Sequence, residues 1–180
     1  MDHRIFIGIG SNIGNSQENC LTSIKYISKD DRATCISSSS LYLTSPVSEI
    51  KQDDFINCAV SLEWEGAPLE LLSLLQRIET IMGRARATGK GPRIIDLDIL
   101  LFSDLIINSP YLITPHPELH RRKFAVIPCL EIEPEIIHPV YNKPLKDFLS
   151  GIDDTQKITK ITGDAMVRTL NSIDKKHLCG

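Results

Sequence analysis

One stretch of the sequence, Gly91–Phe102, predicts a β-strand whose two faces have opposite character. Side chains alternate between the faces of a strand, and every second residue here is apolar: Ile95, Leu97, Ile99 and Leu101. The other face begins with two carboxylates and continues with apolar residues: Asp96, Asp98, Leu100 and Phe102. Same-face side chains lie about 6.6–7 Å apart along a strand, so both carboxylates project into one region. Because such a pair repels itself and is costly to desolvate, we expect a divalent cation beside it.

The loop before this strand is basic. It places four basic residues and no acid within ten positions: Arg84, Arg86, Lys90 and Arg93. Cation-binding acids that follow a basic, glycine-containing loop predict an anionic substrate carried with Mg²⁺, most simply a nucleoside triphosphate.

Composition excludes several classes of protein. The net charge of −3 argues against a nucleic-acid or polyanion binder, so phosphate affinity must come from the local basic cluster. The five cysteines are scattered and odd in number, which predicts reduced thiols in the cytoplasm and neither a disulfide framework nor a zinc site. No apolar run approaches the ~20 residues of a membrane span. We expect one cytoplasmic, monomeric domain with no membrane partner.

The order of the predicted elements is β-α-β-β-α-β. Strands are expected at Arg4–Ile9, Ala33–Thr44, Phe55–Trp64 and in the acidic stretch, with helices from Asn15 to about Ser28 and from Pro68 to Met82. This order is that of a ferredoxin-like α+β sandwich, with an antiparallel-dominated sheet and helices on one face. The buried stripe of the second helix is Leu71, Leu74, Leu75, Ile78, Ile81 and Met82. In Phe55–Trp64, alternation places Phe55 and Asn57 on the more open face.

The remaining sequence has weaker patterns. We expect a hairpin return at Leu105–Asn108, a helix at Phe124–Leu130, and a loop or edge strand at Glu131–Val140. The core spans about residues 4–140, and residues 141–180 form a C-terminal extension of unassigned role. Within that extension we predict a short helix near Leu145–Leu149 and a strand around Ile158–Ile161.

Several polar residues are candidates for a site, each with a structural alternative. Asp96 and Asp98 are predicted metal ligands, or else strand-entry acids paired with Arg93. His116 lies between two prolines and is held rigidly, whereas only one of Arg121 and Arg122 is expected to point into a site. No Walker loop follows the N-terminal glycines and no nucleophile elbow is present.

At these positions the chain resembles the 6-hydroxymethyl-7,8-dihydropterin pyrophosphokinases, enzymes of folate biosynthesis. The resemblance covers Ile5 to about Pro139 and rests on motifs in the same order. They are Gly10-Ser11-Asn12, Phe55-Ile56-Asn57, Gln76-Arg77-Ile78-Glu79, Gly91-Pro92-Arg93-x-x-Asp96-Leu97-Asp98-Ile99, Pro115-His116 and Arg122-x-Phe124.

The resemblance implies transfer of the β,γ-diphosphate of ATP to the hydroxymethyl group of the pterin, with release of AMP. By this likeness Asp96 and Asp98 hold two Mg²⁺ ions, and Asp96 also lies near the pterin. The implied ATP-binding residues are Gln76, Glu79, Arg84, Arg86, Arg93, Ile99, His116 and Arg122, of which Arg84 and Arg93 neutralise the moving phosphates. The implied pterin-binding residues are Phe55 and Phe124, which stack on the ring, with Asn57, Thr44, Ser45 and Val47 at its polar edge.

Two departures from the family pattern concern the site. Lys90 stands where many members have Trp before Gly-Pro-Arg, and supplies a charge in place of an aromatic lid contact. Phe55 stands where Tyr is frequent, which removes a hydroxyl and keeps the stack.

Asn12 is either a turn residue or a member of the site. Two alternatives remain open, a metal-dependent phosphohydrolase that uses the same acids and arginines, and a non-catalytic ferredoxin-like module.

Overall fold

The computed structural model describes residues 3–47, 51–84, 91–153 and 155–161. Within these ranges the strands are β1 (His3–Ser11), β2 (Ala33–Ser38), β3 (Leu41–Thr44), β4 (Phe55–Trp64), β5 (Asp96–Phe102), β6 (Ile107–Asn108), β7 (Ile113–Thr114), β8 (Ile137–His138), β9 (Lys143–Pro144) and β10 (Ile158–Ile161). The helices are α1 (Ser16–Ile27), α2 (Pro68–Ile81) and α3 (Lys123–Ile132), with 3₁₀ segments at Leu119–Arg121 and Leu145–Gly151. No helix in the described ranges is long and apolar enough to cross a membrane.

A six-stranded antiparallel sheet organises the described part of the chain. Strand β1 lies inside the sheet, hydrogen-bonded to β4 on one side and to the edge strand β5 on the other. Strand β4 also pairs with β2 and β3, and β10 extends the sheet beyond β3. The predicted mixed fold with an antiparallel sheet is therefore confirmed, as is the strand predicted around Ile158–Ile161.

Helices α1 and α2 cover one face of this sheet. Helix α1 begins where the Asn15 side chain accepts a hydrogen bond from the backbone N–H of Glu18 at 3.3 Å, as its capping sequence predicts. The buried α2 residues include most of the predicted stripe: Leu71, Leu74, Leu75 and Ile78. The prediction is wrong for Ile81, which is 58% exposed. Met82, four residues after Ile78, takes the position against the core instead.

Helix α3 lies on the opposite face, against Phe6, Ala59 and Leu101. The 3₁₀ segment Leu145–Gly151, predicted as a helix, contributes Leu145 to the same cluster. The two helices of the predicted βαββαβ order, α1 and α2, share one face as expected, and α3 covers part of the face that was expected to stay open. Because α3 covers one end of the second face, the rest of that face forms a recess.

A β-bulge interrupts the alternation of β5. Phe6 on β1 lies opposite Leu101, whereas Ile7, the next residue, lies opposite Ile99, so Leu100 is an extra residue in the ladder. The bulge reverses the two faces after Leu100. Phe102 consequently packs in the core under α1 and α2, and Leu101 joins Leu100 on the α3 side. The predicted faces of Leu101 and Phe102 were therefore wrong, since strict alternation cannot anticipate an inserted residue.

The short connections differ modestly from expectation. The hairpin predicted at Leu105–Asn108 is formed by β6 with β7, and its first strand covers only Ile107–Asn108. Within the segment Glu131–Val140, the first two residues end α3 and Ile137–His138 pairs with β9.

Candidate active site

The floor of the recess is a row of side chains across three strands. Gly10 on β1 lies opposite Asn57 on β4 and opposite Asp96 on β5, and Gly8 lies opposite Asp98. A Cβ atom at Gly10 would stand 2.7 Å from Oδ1 of Asn57, and one at Gly8 would stand 3.1 Å from a methyl carbon of Leu100. The two glycines therefore leave room between the acids of β5 and the amide of β4, and the middle of the floor is bare backbone.

Asp96 is held by two arginines. Its Oδ1 accepts a hydrogen bond from Nη1 of Arg84 at 2.7 Å, and its Oδ2 accepts one from Nη1 of Arg93 at 2.5 Å. Arg84 also contacts Glu79, and Oε1 of Glu79 accepts the Leu97 N–H at 2.8 Å. Burial raises the pKa of Glu79, and the Leu97 amide and Arg84 partly offset this. The network fixes the start of β5 against the end of α2.

Asp98, in contrast, receives no hydrogen bond on its carboxylate from the residues that the structure describes. Burial, followed by the negative charges of Asp96 and Glu79, raises the pKa of Asp98 to about 7, against the opposing effect of Arg122 and Arg84. A carboxyl group with this pKa is ionised at neutral pH only in part. A cation between the two acids would restore full ionisation.

The donor set fits magnesium carried by a phosphate-bearing ligand. Among the described residues there is no cluster of three or more His, Cys, Asp or Glu side chains with the spacing of a metal site. Mg²⁺ commonly binds proteins through one or two carboxylates and completes its shell with waters and substrate phosphates. Asp96 and Asp98 supply that number of carboxylates, and both line the open recess.

A further wall of the recess comes from the segment before α3. The His116 N–H donates to the Leu100 carbonyl at 2.9 Å, which ties this segment to β5 beside its bulge. The Nδ1 atom of His116 accepts the Glu118 N–H at 3.1 Å, so a neutral ring carries its proton on Nε2. Burial and the nearby Arg122 lower the pKa of His116. His116 is thus a neutral hydrogen-bond donor near pH 7.

Arg122 and Phe124 extend this wall. The guanidinium carbon of Arg122 lies 5.7 Å from the centroid of the Phe124 ring. Arg122 also faces the acids closely enough to lower the pKa of Asp98. Arg121 lies at the rim of the recess, 3.6 Å from Glu118 and largely exposed. Both arginines therefore line the cavity, and Arg122 is the one whose charge acts on Asp98.

Asn12 joins three loops behind the floor. Its Nδ2 donates to Oε1 of Gln52 and to the Asp53 carbonyl, each at 3.1 Å. Its Oδ1 accepts the Arg93 N–H at 2.8 Å. The side chain is buried, and it positions Arg93 and the loop before β4. A turn role alone does not account for these contacts.

The recess is a cavity of about 450 Å³. Twelve residues that the sequence singled out line it: Thr44, Ser45, Val47, Phe55, Asn57, Arg84, Arg93, Asp96, Asp98, His116, Arg122 and Phe124. Glu79 lies behind Arg84, Gln76 is exposed on α2, and Ile99 is buried between the sheet and the helices. Arg86 and Lys90 lie outside the described residues.

Arg121, the second candidate of the arginine pair, also lines the cavity. The other lining residues were not predicted for the site: Gly8, Ile9, Gly10, Pro46, Gln52, Cys58, Leu100, Glu118 and Ala125. Alternation along β1 could have identified the glycines, because Phe6, Gly8 and Gly10 lie on one face of the strand and two of these three residues lack a side chain. Gln52 and Glu118 lie in loops without periodicity, where no pattern identifies the side chain that faces a site.

Comparison with known proteins identifies the family. Residues 6–134 match the family model described as 7,8-dihydro-6-hydroxymethylpterin-pyrophosphokinase (HPPK). The chain is 38% identical over 144 residues to the 2-amino-4-hydroxy-6-hydroxymethyldihydropteridine pyrophosphokinase of Aquifex aeolicus, covering 80% of this chain and 89% of that protein. It is 36% identical to the folic acid synthesis protein fol1 of Schizosaccharomyces pombe, covering 82% of this chain and 20% of that protein.

A solved structure has the same fold. The Plasmodium falciparum HPPK-DHPS triple mutant superposes with a TM-score of 0.68 at 15% identity, covering 89% of this chain and 50% of that chain. The chain thus spans a fifth of the fission yeast relative and half of the Plasmodium chain, and most of the Aquifex protein. This chain belongs to the 7,8-dihydro-6-hydroxymethylpterin-pyrophosphokinase family.

Proposed function

We propose that this chain transfers the β,γ-diphosphate of ATP to the hydroxymethyl group of 6-hydroxymethyl-7,8-dihydropterin in folate biosynthesis, releasing AMP. The observation that carries the proposal is a single cavity lined by two chemically distinct groups of side chains. One group is Asp96 and Asp98 with Arg84, Arg93 and Arg122, and the other is Phe55, Phe124 and Asn57. A triphosphate with Mg²⁺ suits the first group, and a flat polar heterocycle suits the second. The printed name of the Aquifex relative supports the same reaction.

The acids would hold two Mg²⁺ ions. When bound, these ions supply the positive charge that neutralises the triphosphate and orients its oxygens. Arg84 and Arg93 donate hydrogen bonds to the two oxygens of Asp96. We infer that nucleotide binding moves the two guanidiniums from Asp96 onto the phosphates, which frees the carboxylate for the metal. The arginines would then follow the transferred group as its charge redistributes.

The remaining polar residues would position the nucleotide. His116 donates from Nε2, and Arg122 adds charge on the same wall. Arg86 is proposed to support them. Gln76 and Glu79 are proposed to lie near the nucleotide on the α2 side. The Ile99 side chain is buried, so its contribution would come from the main chain of β5, the strand at the edge of the sheet.

The pterin would stack between Phe55 and Phe124. Nδ2 of Asn57 donates to Oγ1 of Thr44 at 2.6 Å, which orients the amide. Its Oδ1 accepts no hydrogen bond from the described residues and points across Gly10. This oxygen suits the amino and ring N–H donors of a pterin, and the main chain of Thr44–Val47 would complete that edge. Lys90 is proposed to approach from the loop in place of an aromatic lid.

Product analysis tests this function. The protein is mixed with ATP, Mg²⁺ and the reduced pterin, and nucleotides are separated by ion-exchange chromatography. We expect AMP and pterin diphosphate in equal amounts, with neither formed when the pterin is omitted. Formation of ADP alone would overturn the proposal. Nucleotide turnover that is unchanged without pterin would instead identify a metal-dependent phosphohydrolase, and no turnover with either mixture would favour a non-catalytic module.

We also propose that the chain is a single domain of ferredoxin-like arrangement that acts as a monomer. The strand order β3-β4-β1-β5, with α1 and α2 on one face, supports the arrangement. A cavity lined on both sides by residues of one chain supports the monomer. Sedimentation equilibrium at micromolar concentration tests the oligomeric state.

A further inference from the structure

The C-terminal segment 155–161 lies beyond the family match, which ends at residue 134, yet it contacts the cavity wall. Within this segment β10 pairs with β3, with Ile158 opposite Thr44. The Ser45 N–H donates to the Lys157 carbonyl, and the Lys157 N–H donates to Oγ of Ser45, both at 3.0 Å. This pair of hydrogen bonds fixes the chain where it enters the Thr44–Val47 wall of the cavity.

The same segment also reaches the opposite wall. Oε1 of Gln156 accepts the Lys123 N–H at 3.2 Å. Lys123 is the first residue of α3, and its N-cap residue Arg122 makes no side-chain capping bond. The first N–H groups of a helix have no partner within the helix, so Gln156 supplies a cap from a distant part of the chain. Arg122 and Phe124, which flank Lys123, both line the cavity.

A third contact anchors the segment to the sheet. Nζ of Lys160 donates to Oε1 of Glu131 at 2.7 Å, and the hydroxyl of Tyr42 donates to Oε2 of the same carboxylate at 2.6 Å. Glu131 lies on α3 and Tyr42 on β3, so one carboxylate joins the helix, the sheet and β10. The segment is therefore fixed at both ends relative to the two walls it touches.

We propose that residues 155–161 form a strap that sets the separation of the two pterin-binding walls, with Gln156 as its positioning residue. The inference rests on the proposed function, because it assigns the Phe124 and Thr44–Val47 walls to the pterin. Gln156 itself does not line the cavity. Its effect passes through the Lys123 amide to Phe124, and through the adjoining Lys157 to Ser45.

Three variants test the strap. Gln156→Met keeps the length of the side chain and removes the acceptor. Gln156→Glu keeps an acceptor and adds a negative charge at the start of α3, where it is favourable. Thr159→Ala is the matched control, since Thr159 is exposed on β10, within the same segment, and is not among the residues lining the cavity.

The readout is calorimetric titration of the pterin in the presence of Mg²⁺ and a non-hydrolysable ATP analogue. We expect Gln156→Met to weaken pterin binding about fivefold, the value of one ordinary hydrogen bond. Binding of the ATP analogue should stay within about twofold, because Asp96, Asp98, Arg84 and Arg93 lie on segments that the strap does not contact, and only Arg122 adjoins Lys123. Gln156→Glu should restore the pterin affinity, and Thr159→Ala should leave it unchanged. Unaltered pterin affinity in Gln156→Met, or equal loss for both ligands, would overturn the proposal.

Amide hydrogen exchange separates this proposal from the proposed function. In the ligand-free protein, Gln156→Met should accelerate exchange of the Lys123 amide about fivefold, and Gln156→Glu should not. Unchanged Lys123 exchange in Gln156→Met would overturn the strap even if the enzyme is active. Failure of the wild-type protein to form AMP would overturn the function, and the exchange result would still decide whether the strap exists.

Discussion

Replacement of Asp98 by Asn should stabilise the ligand-free protein while it removes the proposed activity. In the folded chain the pKa of this carboxyl is raised from 3.8 to about 7, first by burial and then by Asp96 and Glu79. The unfolded chain releases the proton near pH 3.8, whereas the folded chain retains it up to about pH 7. Between these pH values the unfolded state binds fewer protons, so wild-type stability falls as the pH rises.

The size of the effect follows from the same two values. Each pKa unit corresponds to about 1.36 kcal/mol. The difference between 3.8 and about 7 therefore limits the gain in the free energy of unfolding of Asp98→Asn to about 4 kcal/mol above pH 7. The carboxyl borders the open cavity, and solvent there screens the charge. We therefore expect a realised gain of about 2 kcal/mol for Asp98→Asn at pH 8, and almost none at pH 3.5.

Urea unfolding of both proteins at several pH values measures this difference. Saturating Mg²⁺ with an ATP analogue should stabilise the wild type at pH 8 far more than the variant, because the cation binds the ionised pair. AMP formation by Asp98→Asn should fall by at least about 100-fold. A variant no more stable than wild type at pH 8, or a stability difference that is independent of pH, would refute the reasoning.

Further predictions concern the floor, the stack and a buried histidine. Gly10→Ala should destabilise the fold by about 1–3 kcal/mol, because its Cβ would meet Asn57. The control Gly151→Ala, which meets nothing within 4 Å, should change the free energy of unfolding by under about 0.5 kcal/mol in the same urea titration. Phe124→Ala should weaken pterin binding about tenfold and leave the affinity for an ATP analogue unchanged in calorimetry. Burial lowers the pKa of His138 from 6.5 to about 4, so stability should fall as the pH drops through this range, and His138→Leu should reduce that loss in acid titrations.

The parts of the site that sequence could predict are those controlled by alternation. Side chains alternate between the two faces of a strand. This alternation alone predicts that Asp96 and Asp98 share one face of β5 and that Phe55 and Asn57 share one face of β4. The helical stripe of α2 was predictable for the same reason up to its last turn, where Ile81 faces solvent. The family motifs then joined these segments into one site.

The other contacts depend on distances between segments that are remote in sequence. Asn12 and Arg93 are 81 residues apart, and Lys123 and Gln156 are 33 apart. No local pattern encodes such a pairing, since each hydrogen bond joins a polar side chain to the backbone N–H of a remote segment. The bulge at Leu100 cannot be predicted from the sequence either, because an apolar residue inserted among apolar residues does not alter the apolar character of the strand.

That bulge has a consequence for how Asp96 and Asp98 reach their positions during folding. A two-residue slip of β5 along β1 would keep every side chain on its own face, so alternation alone does not exclude it. The extra residue Leu100 distinguishes the registers, because a slip would move the bulge away from the step between Phe6 and Ile7, where it lies in this structure. The bulge therefore marks one register of β5 on β1. Asp98 consequently stops opposite Gly8, the residue that leaves space beside it. Deletion of Leu100 would permit neighbouring registers, and the acids would then no longer be confined to one position relative to the arginines.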